Sequence, residues 1–296
     1  MMTTLPLSRS RFALAAAFLL LLAAPRIALA QRGGPRTPRA DSLREASRLD
    51  SEGSTTKARE LIQKLVDSAP DPAARAESQR ALAMSYAFDG DCANAAKTED
   101  FVIAYWATRE QAEPQNAFYQ EGEMANEAAR VCIDAGDFNT AEKYYRRGTE
   151  LGLKEPEPRS HAKSLWDFRL AHALARLAAR RGNRPEAQKQ VAAARAALDG
   201  DKTMAAQQER FYPYLTGYVA LYTGDLKGAE ADLTKALSMQ GNTNDPFFNC
   251  LLAMTYEKLG QKDKAREFYQ KAYDLATGHN PPAAFVRPFA RKKLAS

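Results

Sequence analysis

Leu259-Gly-Gln-Lys-Asp-Lys-Ala-Arg-Glu-Phe-Tyr-Gln-Lys-Ala-Tyr-Asp-Leu275 reads as a glycine turn followed by one amphipathic helix. Ala265 and Ala272 are its small positions, and Tyr269 is the large aromatic between them. The same skeleton recurs upstream. Glu52-Gly53 precedes Ala58, Asp89-Gly90-Asp91 precedes Ala95, and Ala135-Gly136-Asp137 precedes Ala141. Arg181-Gly182-Asn183 precedes Ala187, and Thr223-Gly224-Asp225 precedes Ala229. In all six copies the glycine stands five residues before the alanine.

Turn chemistry accounts for that spacing. Glycine adopts the left-handed conformation that closes a helix. An Asp or Asn directly after it caps the next helix through its side-chain oxygen, which is expected at Asp91, Asp137, Asn183 and Asp225. Each alanine has a small residue twelve positions before it, so two antiparallel helices can approach closely. A large side chain there is expected to overpack the contact, at about 1–3 kcal/mol.

The repeated order is small residue, aromatic, glycine, alanine, large residue, small residue. Ala253, Tyr256, Gly260, Ala265, Tyr269 and Ala272 fit it fully, and Gly217, Gly224, Ala229, Leu233 and Ala236 nearly so. This pattern resembles the tetratricopeptide repeat (TPR) family, and six copies in series make it specific. The resemblance implies an all-α, TPR-type α-solenoid of about six antiparallel helix pairs over residues 40–280. A capping helix and basic tail over 281–296 are expected to follow.

The chain departs from the family in several places. The signature tryptophan of the first helix is missing, Pro70 is the only repeat-closing proline in place, and Glu99 stands where an apolar residue is usual. The six alanines are 37, 46, 46, 42 and 36 residues apart, so the middle pairs carry extra turns or longer loops. Trp106, Glu113-Pro114 and Glu155-Pro156-Glu157-Pro158 fall in those extensions, and Pro213 either begins a helix or kinks a longer one.

Residues 1–30 read as a secretory signal peptide. Arg9 and Arg11 precede an apolar run of 13 residues from Phe12 to Ala24, and Ala28-Leu29-Ala30 is a cleavage signal. The apolar run is too short to span a membrane, so no stable membrane span is expected in the mature chain. An exported protein, periplasmic or secreted, follows from this reading. Residues 31–39, rich in Gly, Pro and Arg, read as a flexible lead-in. Removing the signal peptide removes Arg9, Arg11 and Arg26 and no acid, which lowers the formal net charge from +6 to +3. That mild charge, with no basic stripe, gives no nucleic-acid signal.

No enzyme is expected. His161, His172 and His279 are the only histidines, and none has a partner at metal-ligand spacing. There is no nucleophile elbow and no phosphate-binding glycine loop, and neither a metal nor a cofactor is implied. Binding is what stacked helix pairs offer, on an extended concave surface.

The family's groove-facing offsets select Glu77, Arg80, Met84; Glu123, Asn126, Arg130; Arg169, His172, Arg176; Phe211, Tyr214, Tyr218; and Phe247, Cys250, Met254. Asn126, Arg130, Arg169, His172, Arg176, Tyr214 and Tyr218 are the expected peptide-binding groove. Arginine binds carboxylates bidentately and tyrosine anchors apolar groups. The alternative is that the aromatics are core and the arginines ordinary surface charges. The family's carboxylate-clamp set of Lys and Asn is not reproduced.

The resemblance also places Cys92 at the start of one second helix and Cys132 inside the next first helix, both toward the inter-repeat core. They are either buried apolar side chains or a disulfide closing about 40 residues. In the tail, Ala284, Phe285, Phe289 and Leu294 alternate with Arg287, Arg291, Lys292 and Lys293. A helix covering the last repeat is expected there, with a membrane-surface helix as the alternative. The leading expectation is an exported scaffold that binds a protein or peptide partner in its groove. The second is a structural subunit of an envelope assembly, using its convex face or basic tail, and the third is a small-ligand-binding protein or enzyme. Oligomeric state has no sequence signature here.

Overall fold

The computed structural model describes residues 37–296, so the signal-peptide reading and most of the lead-in lie outside the described residues. The rest is an all-α solenoid. Six antiparallel pairs follow one another: α1 (Pro38–Glu52) with α2 (Thr55–Asp67), α3 (Pro72–Phe88) with α4 (Cys92–Ala107), and α5 (Pro114–Ala135) with α6 (Phe138–Gly152). Then come α7 (Lys163–Arg180) with α8 (Arg184–Gly200), α10 (Tyr212–Thr223) with α11 (Leu226–Ser238), and α12 (Pro246–Lys258) with α13 (Lys262–Leu275). The short α9 (Lys202–Gln208) and a 3-10 turn, Glu209–Phe211, lead into α10, and α14 (Pro281–Ala295) ends the chain.

The glycine rule holds at every turn. Gly53, Gly90, Gly136, Gly182, Gly224 and Gly260 all have φ between 69° and 90°. Asp91, Asp137, Asn183 and Asp225 each accept a bond from the backbone N–H three residues on. The close approach is equally regular. Ala58, Ala95, Ala141, Ala187, Ala229 and Ala265 are buried, and so are Ala46, Ala83, Ala129, Ala175, Gly217 and Ala253 twelve residues earlier. At Gly217 even a methyl group would lie 2.8 Å from the Leu233 side chain.

The irregular spacings have local causes. Helix α5 is 22 residues long. The loop between α6 and α7 is held by the buried Glu155 carboxylate, which accepts from the His161 N–H and from Ser160. Pro213 stands in the first turn of α10 and begins that helix rather than kinking a longer one. Helix α1 starts at Pro38, inside the expected lead-in. Arg39 is docked, donating to the carbonyls of Leu65 and Ala74 at the neighbouring helices.

Cys92 and Cys132 are joined across the second and third pairs, with the sulfurs 2.06 Å apart. They lie in one buried cluster with Ile133, Ala141 and Tyr145. Cys250 is a free, buried thiol. A bridge closing a separation of 40 residues contributes about 4 kcal/mol on the loop-entropy account. Reduction, or paired Cys→Ser substitution, is expected to lower Tm on the order of 10 °C. Thermal denaturation with and without reductant measures it, and an unchanged Tm contradicts it.

Helix α14 does more than cover the last repeat. It packs on α12 and α13, and also on α1, α3 and α5 at the other end of the array. Its Ala283, Ala284, Val286 and Ala290 share one core cluster with Phe88 of α3, Val131 of α5 and Phe247 of α12. The contact with α1 is specific. A helix leaves its last four carbonyls without partners. In α1, Leu49 and Asp50 accept from Ser54 and Gly53 in the turn. Ser51 accepts from Arg287 (3.2 Å) and from Arg291, and Glu52 from Arg291 (3.1 Å). Two cations at the negative end of the α1 dipole reinforce this.

Just before α14, His279 meets the Asp50 carboxylate at 2.8 Å and stacks on Phe88. Asp50 is 1 % exposed, and its other oxygen accepts from Ser85 at 2.7 Å. Lys293 pairs with Glu257 at 2.7 Å. The expected basic tail is therefore a closing strut, with three of its four cations engaged within the chain. Removing residues 281–296 is expected to speed amide hydrogen exchange in both α1 and α12, at opposite ends of the sequence. A helix that capped only the last pair would leave α1 unchanged.

Candidate functional site

First helices turn one face toward the inside of the array, and the side chains three or four residues apart on that face converge. Glu123, Asn126 and Arg130 come from α5, and Phe168, Arg169, His172 and Arg176 from α7. Phe211 arrives from the 3-10 turn, Tyr214 from the start of α10, and Phe247 and Phe248 from α12. Together they line a cavity of about 350 Å³, with Tyr145 and Asp245 in its wall and Pro282 of α14 at its edge. Of the seven expected groove residues, six line this cavity: Asn126, Arg130, Arg169, His172, Arg176 and Tyr214. Tyr218 does not. It is 0 % exposed in the core, its hydroxyl accepting from Arg180 at 3.3 Å. Cys250 is likewise core, because α12 is covered on that side by its neighbours.

The arginines differ in their pairing. Arg169 is matched to Glu123 across the two helices and also reaches toward Tyr119. Arg130 donates to Asp134, one turn further along its own helix, at 3.0 Å, and its guanidinium lies 4.0 Å from the Phe247 ring centre. Among the described residues no carboxylate pairs with Arg176. It is 5 % exposed and donates only to two phenol oxygens, Tyr145 (3.0 Å) and Tyr214 (3.3 Å). An isolated buried cation is costly unless paired. Three nitrogens of the lining residues are buried without a partner among the described residues: Arg130 Nη2, Arg176 Nε and His172 Nε2.

His172 is neutral. Burial pushes its pKa well below the usual histidine range, and the positive charges of Arg176 and Arg130 push the same way. Burial raises the carboxyls of Glu123 and Asp245, although Arg169 opposes it at the first and the Phe248 N–H and Arg130 oppose it at the second. Asp245 caps α12 by accepting from that N–H at 2.9 Å. Tyr145, Phe168, Phe248 and Asp245 were not expected from groove offsets. The aspartate had a local signal, since Asp-Pro before an apolar run marks a helix start.

A second hollow of about 590 Å³ lies between α1, α3, α4 and α5. Arg80, Met84, Trp106 and Met124 line it with His279. Arg80 pairs with Glu127 beside it. No group of three or more His, Cys, Asp or Glu could hold a metal ion among the described residues. No described helix is long and apolar enough to cross a membrane.

Residues 248–279 match the tetratricopeptide repeat family model. The matched segment is the sixth pair, α12 with α13, and continues to His279. No curated protein was found to match the chain. The other five pairs share the tetratricopeptide repeat's glycine turn and small-residue contact but carry the length variation described above. The fold is that of a protein-interaction scaffold.

Glu99 departs from the tetratricopeptide repeat pattern at a cost. It is 0 % exposed, and both carboxyl oxygens lack a partner. Burial raises its pKa well above the ordinary value, and Glu127 adds to this while Arg80 opposes it. Glu99 thus holds its proton more tightly folded than unfolded. Its contribution is most favourable below the ordinary carboxylate range and is lost as pH rises through the folded pKa. Glu99→Gln is expected to match the parent Tm near pH 4 and exceed it by a few degrees near pH 8. Equal Tm values at both pH values would exclude this.

Proposed function

We propose that this chain is an exported scaffold that holds a protein or peptide partner on its concave side, centred on the cavity between α5, α7, α10 and α12. The convergence of six first-helix side chains from three helix pairs on one cavity, with Arg176 buried there and unmatched by any acid, carries this reading. Helix α14 already covers the inner faces of α3 and α12, so a partner meets a short stretch of groove rather than its full length. A side chain or a chain end entering the cavity fits that geometry. Export is supported by the charged, apolar and small-residue order of residues 1–30, and a Cys92–Cys132 bridge suits an oxidising compartment. The tail-based assembly reading has less support, since Arg287, Arg291 and Lys293 are engaged within the chain.

Affinity purification of the exported protein tests the proposal. Charge reversal is placed at a half-exposed position, because Arg176 is too deeply buried to reverse without unfolding. The Arg169→Glu variant is expected to lose the co-purifying partner. Lys189→Glu, on the exposed face of α8, is expected to keep it. The purified chain should begin at Gln31. Retention of the partner by Arg169→Glu overturns the concave site, and an intact N-terminus overturns export.

A further inference from the structure

The cavity between α5, α7, α10 and α12 has a chemistry of its own, apart from any protein that covers it. Three arginines line it; Arg169 is matched by Glu123 and Arg130 by Asp134, which leaves Arg176 as the lining arginine without an acid contact among the described residues. Among the described residues its acceptors are the two phenol oxygens of Tyr145 and Tyr214. Arg176 Nε and Arg130 Nη2 are buried donors without acceptors. An arginine donor edge matches the two oxygens of a planar carboxylate. One guanidinium without an acid contact suits a monoanion better than a phosphate dianion, which Asp245 and Glu123 in the wall would oppose. The rest of the lining is apolar and aromatic, including Phe168, Phe211 and Phe247. The volume of about 350 Å³ is at the small end of the ~300–1,000 Å³ typical of small-molecule sites.

We propose that this cavity is a binding site for a free, small amphipathic monocarboxylic acid. Its carboxylate pairs with Arg176 and the free edge of Arg130, and its aromatic or branched aliphatic body lies against Phe168, Phe211 and Phe247. This goes beyond the partner-binding reading and does not depend on it, because the ligand's contacts are complete inside the chain. Arg176 is then matched only in the bound state, as a ligand-recognition residue is and a structural ion pair is not.

Isothermal titration of the full mature chain with benzoate, phenylacetate and 4-methylpentanoate tests this, with phenylacetamide as the uncharged isostere. At least one acid is expected to bind one-to-one with a Kd of about 1 mM or tighter. The amide is expected to bind at least ~10-fold more weakly, as is the acid to Arg176→Met, the size of one charge-assisted bond. The acid–amide comparison on the parent chain stands even where Arg176→Met fails to fold. N-acetyl-aspartyl peptides form the second arm, standing for an acidic side chain of a partner. No binding by any of the three acids overturns the proposal, as does equal binding of acid and amide. Binding of the aspartyl peptides alone also overturns it, and assigns the carboxylate to a partner. Loss of acid binding with partner capture intact leaves the scaffold reading standing, so the two fail separately.

Discussion

Contact between small residues on paired helices underlies everything else in this chain. Ala46 with Ala58, and the same pairing through Ala253 with Ala265, removes side-chain volume where two helices meet, so their backbones approach closely. Because the glycine turn sets the register each time, every pair presents the same face inward. Repeats of one geometry stack into a curved array, and curvature makes side chains from α5, α7, α10 and α12 converge. A larger residue at any of these points would spread one pair and shift the direction of all that follow it.

An array of this kind normally has two free ends, and each exposes an apolar face. Here one helix serves both. Its apolar residues join the core of the second and sixth pairs, and its arginines satisfy the carbonyls that α1 leaves open at Ser51 and Glu52. The buried Asp50, bound by Ser85 and His279, adds a polar contact whose loss would strand a charge in the core. The closure joins the first and last pairs, and it explains why the concave side is divided into separate hollows rather than one long groove.

The cavity stands out because its electrostatics are unfinished. Several half-buried cations find acids: Arg59 with Asp89, Arg80 with Glu127, Arg169 with Glu123. Arg176 finds only tyrosines. Stability alone gives no reason to keep such a charge, since an apolar residue of similar volume is often as stable or more so. Glu99 has a similar imbalance but lines no cavity, and its neutral form resolves it. Arginine has no accessible neutral form, so Arg176 stays charged in its buried place.

The helix pairs were legible in the sequence because they depend on local chemistry. A glycine at positive φ, an Asp cap and an alanine at a helix contact each act within a dozen residues, and their spacing survives in the chain order. Groove offsets are local too, which is why Asn126, Arg130, Arg169, His172, Arg176 and Tyr214 could be named from periodicity. Periodicity gives the direction of a side chain but not what covers it. Whether Tyr214 lines a cavity while Tyr218, one turn on, is sealed in the core was decided by neighbours far away in sequence. The same holds for the tail. Its amphipathic pattern indicated a helix, yet its destination at α1, over 200 residues earlier, was set by the curvature of the whole stack. The missing acid beside Arg176 was also invisible in the chain order, because a charge is unpaired only with respect to everything that folds around it.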